Sequence, residues 1–136
     1  MFSLKSIIAL LAVILIFHAT AIINYWYWVF PWLDIPMHFF GGFWMAMFFV
    51  WLYHSKISQL PSYLIAFLIT LSFVALIGVF WEFLEFFYDV FVSSKGYYGY
   101  MQLSAADTIA DLFFDLVGGS ALLGIYFLLK SKTDKL

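Results

Sequence analysis

The chain has 136 residues, 66% of them hydrophobic and 24% aromatic, with only 10% charged and a net charge of −2. A soluble domain is about half apolar and about a quarter charged, so this is the composition of an integral membrane protein, and nothing in its charge suits it to nucleic acid. Cysteine is absent, which excludes disulfides, thiolate catalysis and Cys-ligated zinc; arginine is absent too, and every basic residue is a lysine.

Four apolar segments follow in order, at about 7–30, 37–53, 63–91 and 105–129. Each has at least the roughly 17–25 residues that a helix needs to cross a bilayer. They predict an all-α fold, a four-helix transmembrane bundle forming one polytopic domain over 1–136. The start of the first segment, Lys5 then IIALLAVILIF then Ala19-Thr20-Ala21, is similar to a secretory signal peptide. The apolar run continues through AIINYWYWVF, so an uncleaved helix is expected. Tyr25, Trp26, Tyr27, Trp28 and Trp32 then read as an interfacial aromatic belt.

Pro31 and Pro36 bracket the first loop, with Asp34 inside it and His38 opening the second helix. Pro61 precedes the third helix, and SSKGYYGYMQLS carries the turn residues of the last loop. Ser104 and Asp107 have capping-box spacing, with Asp in place of Glu or Gln, and would start the fourth helix. Lys5, Lys56, Lys130, Lys132 and Lys135 fall at one end of such a bundle and only Lys95 at the other. The positive-inside rule puts both termini and the middle loop in the cytoplasm.

Seven of the eight acids collect at the opposite end, and Asp134, in the tail, is the exception. Glu82 and Glu85 share a face of the third helix, and Asp107, Asp111, Asp115 and Gly118 step by four, four and three along the fourth. His38 stands beside Gly41 and Gly42, and Glu82 beside Gly78, small residues that let helices approach. A charged side chain at mid-membrane costs about 2.5–3.5 kcal/mol, so four or five unpaired carboxylates would cost on the order of 10 kcal/mol. With Lys95 the only lysine nearby, neutralisation falls to protons, water or metal ions.

The same stretches carry a family resemblance. LDIPMHFFGGF, WEFLEF and DTIADLFFDLVGG resemble the D-x-x-x-H-F-x-x-G-F, E-x-x-E and D-T-x-x-D segments of the YjdF-type bacterial membrane proteins. More distantly, the pattern is similar to the VanZ-like proteins, which are linked to glycopeptide-antibiotic resistance. The resemblance implies a multi-pass protein of the bacterial cytoplasmic (inner) membrane and carries over Asp34, His38, Glu82, Glu85, Asp107 and Asp111. Asp115 stands where relatives often have a neutral residue, and no particular reaction follows.

The expected site is an outward-facing divalent-metal centre of Asp34, His38, Glu82, Glu85, Asp107, Asp111 and Asp115. Mostly oxygen ligands suit Mg²⁺, Mn²⁺ or Ca²⁺, and the imidazole leaves Zn²⁺ or Fe²⁺ open. The metal would act on a lipid-linked or phosphorylated substrate. Proton or cation conduction and a structural or accessory role are the alternatives, and oligomerisation is left open. His18 is expected to be hydrogen-bonded below the cluster, Asp89 and Lys95 to lie at the interface, and His54 at an exposed helix end. Gly118, Gly119 and Gly124 read as helix contacts rather than a phosphate loop, because no Lys-Ser/Thr follows them.

Overall fold

The structure, a computed structural model, describes residues 2–97 and 99–133, with the side chains of α6 followed to Ser131. Asp134 and Lys135 lie outside the described residues. Six α-helices occur among the described residues: α1 (Leu4–Ile23), α2 (Trp26–Val29), α3 (Asp34–Leu52), α4 (His54–Ile57), α5 (Tyr63–Phe91) and α6 (Ala105–Thr133). Four of them, α1, α3, α5 and α6, are long and apolar enough to cross a membrane, and no strand occurs among the described residues.

The first apolar segment is not one helix. Ser3 opens α1 with a capping box shared with Ser6. The helix stops at Asn24, whose amides, backbone and side-chain alike, donate to the Thr20 carbonyl. Tyr25 then takes the left-handed region (φ 59°), an unusual conformation for a bulky side chain. This turn folds the aromatic run back as α2. Two of the belt residues bond within the chain. Tyr27 is buried with its hydroxyl on His18, and the Trp28 indole donates to the Tyr100 carbonyl.

The second span also begins earlier than its apolar pattern suggests. Asp34 is the first residue of α3, not a loop residue. Pro36 falls in the first turn, where its missing N–H has no intrahelical partner to lose. Asp34 and His38 thus sit one helical turn apart on the same element.

At one end of the bundle, Ile57 packs with Tyr126 around Val50, Ala66 and Leu123, the Phe2 ring meets Tyr126, and Lys130 Nζ reaches the Ser58 carbonyl at 3.4 Å. This end holds the beginning of α1, the α3–α5 connection and the end of α6, with Lys5, Lys56 and Lys130. His54, expected to be exposed, is half-buried edge-on to Tyr126.

The centre of the molecule is the crossing of α3 on α6. A Cβ at Gly42 would overlap the Asp115 carbonyl, and one at Gly118 would overlap the Phe39 carbonyl. Backbone meets backbone here, which is how small residues join helices where lipid supplies no hydrophobic drive. Gly119 packs against Leu71 and Val74 of α5. Gly124 departs from expectation: it is exposed and no atom lies within 4 Å of where its Cβ would stand, so it makes no helix contact among the described residues.

Gly42→Ala should therefore destabilise the protein by about 1–3 kcal/mol, the usual cost of forced overpacking. Gly124→Ala should instead stabilise it by roughly 0.5–1 kcal/mol through helix propensity. Thermal unfolding of the two variants in one detergent checks both signs.

Candidate metal centre

The α3–α6 crossing sets His38 against α6. Its Nε2 lies 3.8 Å from Asp34 Oδ1 and 3.9 Å from Asp111 Oδ1, and its Nδ1 lies 3.4 Å from Asp115 Oδ1. His38, Asp111 and Asp115 are all buried. The two ring nitrogens thus face different acids. Asp34 and Asp111 flank one, while Asp115 takes the other.

Asp34, His38 and Asp111 can each offer one ligand atom within a 4.8 Å group, and so can His38, Glu82 and Glu85. Two atoms bound to one ion at about 2.1–2.5 Å can be no more than about 4.2–5.0 Å apart, so either group is close enough to share a cation. His38 is the member common to both.

Two further observations refine the α5 side. Glu85 Oε1 accepts from the Trp81 indole at 2.8 Å. Glu82 is only 5% exposed; its Oε2 accepts from the Gln102 side-chain amide at 2.9 Å, while its Oε1 is buried with no hydrogen-bond partner. An ionised oxygen left so costs about 1–3 kcal/mol or more. Gln102 is a residue that sequence reasoning missed. It lies in a loop, where no helical periodicity marks it.

Gln102 is itself held by Asp89. The Asp89 carboxylate accepts from the backbone N–H of Met101 (2.7 Å) and Gln102 (2.9 Å) and from the Ser93 hydroxyl (2.9 Å). Asp89 is therefore a buried anchor for the last loop, while Lys95 is exposed.

Asp107 stands apart from both ligand groups. Its N–H bonds the Ser104 hydroxyl at 3.2 Å and its carboxylate accepts from the Leu103 N–H at 3.0 Å. This is the reciprocal cap that the Ser104–Asp107 spacing predicts, shifted by one residue on the return bond. Asp107 still reaches a hollow of about 20 Å³ whose walls include Asp34 and Glu85. That is room for about one water.

On the other side of the cluster a cavity of about 160 Å³ runs toward α1. Its polar end carries Asp34, His38, Glu85 and Asp115, together with His18 and Tyr27. His18 is level with Trp81, whose ring it meets edge-on at 5.6 Å, rather than below the cluster. Burial, with the neighbouring carboxyls of Asp34 and Glu85, holds the Tyr27 hydroxyl above the usual phenol range. It stays protonated and hydrogen-bonds His18 Nδ1 at 2.8 Å.

Fold and site together describe a polytopic α-helical membrane protein with a buried carboxylate–histidine cluster near one end of the bundle. The chain belongs to the DUF2238 family, described as predicted membrane proteins, whose sequence profile matches residues 1–132. No curated protein and no solved structure matches it.

Replacing Asp89 by Ala leaves three donors without a charged acceptor. It should cost at least about 3 kcal/mol and release the last loop. Faster hydrogen exchange at the Met101 and Gln102 amides, with α6 still protected, is the expected result.

Proposed function

We propose that the protein binds a divalent cation at the cluster and uses it on a lipid-linked or phosphorylated substrate. The observation that carries this reading is the pair of ligand groups that share His38, one of which includes Glu82, a residue whose Oε1 is buried without a hydrogen-bond partner. Protons satisfy isolated carboxyls well. They do less for five acids around one imidazole, where an ion could accept several oxygens at once.

In this reading Asp34, His38 and Asp111 form the first group of ligands, with Glu82 and Glu85 completing the site from α5. Asp115 orients His38 through Nδ1 rather than binding the ion. A carboxylate on the far ring nitrogen fixes the tautomer and raises the ring's basicity. Asp107 shapes the hollow beside the site and caps α6. These assignments narrow the seven residues that the sequence singles out.

Helix α1 brings no acid to the cluster, so the ion's face toward α1 is left for water or a substrate oxygen. An ion there could polarise a phosphoryl or carbonyl group or lower the pKa of bound water. Cation conduction fits less well. Below Asp115, Ala46, Val74 and Leu122 belong to a buried apolar cluster. We place the lysine end in the cytoplasm of a bacterial cell, with the site toward the outer leaflet, following the positive-inside rule. The YjdF-type resemblance is consistent with this placement.

Elemental analysis of the purified protein should find a stoichiometric divalent metal, and saturating metal at about 100 times Kd should add about 2.7 kcal/mol of stability. Asp111→Asn should abolish binding, Asp115→Asn should weaken it roughly 10–100-fold, and Asp107→Asn should leave it near wild type. Protein free of metal, with a thermal midpoint that divalent ions do not move, would refute the proposal.

A further inference from the structure

The 160 Å³ cavity has two unlike ends. One end is the cluster; the rest is walled by Leu11, Ile14 and Leu15 of α1, Met45 of α3 and Ile77 of α5. Helix α1 packs along α3 and α2 but barely touches α5. The meeting of His18 and Trp81 bridges that gap at the cluster's level, and the half-exposed Leu15 lies on its rim. The cavity therefore opens sideways, toward the surface that lipid would cover, and ends at the acids.

Resting on the cation reading, we propose that the cavity takes the first part of a single lipid chain whose phosphate head reaches the ion at the cluster. Size supports a chain rather than a whole tail. A cavity of about 150 Å³ holds benzene, so this one admits a stretch on the order of six carbons. The rest of the chain must leave through the gap between α1 and α5. Its apolar walls would leave water without partners and an empty space without contacts, and a methylene chain supplies those contacts.

The head group follows from charge. Among the described residues no lysine or arginine lines the cavity, so a phosphate there meets no lysine or arginine of theirs. A hard divalent ion held by carboxylates binds phosphate oxygens readily. The ion thus selects the head and the cavity selects the chain. A lipid phosphate entering sideways would present its oxygens to the ion without crossing water.

The test uses a decyl phosphate carrying a diazirine near the head, photolysed with the full-length protein in detergent with Mn²⁺. Cross-links should concentrate on Leu11, Ile14, Met45 and Ile77 and be lost in Ile77→Trp. Leu15→Trp makes the same test from the rim of α1 should Ile77→Trp fail to accumulate. Labelling by the matching diazirine decanol should be weak, because it lacks the phosphate. Equal labelling by the alcohol, or cross-links spread over lipid-facing residues such as Phe83 and Phe87 in protein that retains its metal, would overturn the lipid assignment alone. Cavity labelling that persists in metal-free protein would instead overturn the ion as bridge, and with it the function on which this inference rests.

Discussion

Everything at the candidate site depends on the close approach of α3 and α6. Gly42 and Gly118 bring two backbones into contact, and nothing larger fits at either position. That approach places Asp111 and Asp115 beside opposite nitrogens of His38. The Asp115 carboxylate then fills the space between helices. A Cβ at Gly78 of α5 would crowd its Oδ2, so a third helix also yields room for it. The glycines serve the acids as much as the packing, because a buried carboxylate beside a side chain would lose the histidine that balances it.

A second constraint works from the loop side. The site is closed at its near end by residues 99–104, which have no helix of their own. Asp89 holds this segment by its backbone, and Gln102 passes the order on to Glu82. Gln102 occupies one oxygen of Glu82 and leaves the other buried without a hydrogen-bond partner. Trp28 adds a bond to the same loop from α2. The left-handed turn at Tyr25 makes that bond geometrically available, so strain in one short segment is offset by contacts in another.

The division of labour among the acids is the main lesson of the comparison between sequence and structure. A period of four puts Asp107, Asp111 and Asp115 on one stripe, and the stripe is real. Yet the three do different things. Asp107 sits in the first turn, where free backbone N–H groups compete for a carboxylate. Asp111 is one turn in, beyond that competition, and faces His38 Nε2. Asp115 is another turn deeper, where His38 Nδ1 and glycines of α3 and α5 meet it. Asp89, left out of the site expected from the sequence, is buried because a loop beyond its helix folds onto it.

The sequence by itself determined the number of spanning helices, the end of the bundle that carries the acids, and the histidine and glycines among them. These follow from hydrophobic length and helical period, which are local properties. Only the tertiary structure decided which carboxylates meet one imidazole, which one caps a helix, and where α1 stands aside to leave a cavity. Those outcomes depend on the rotation and separation of helices that are distant in the chain. In a membrane, small residues and polar contacts rather than hydrophobicity set that geometry, and apolar composition cannot encode it.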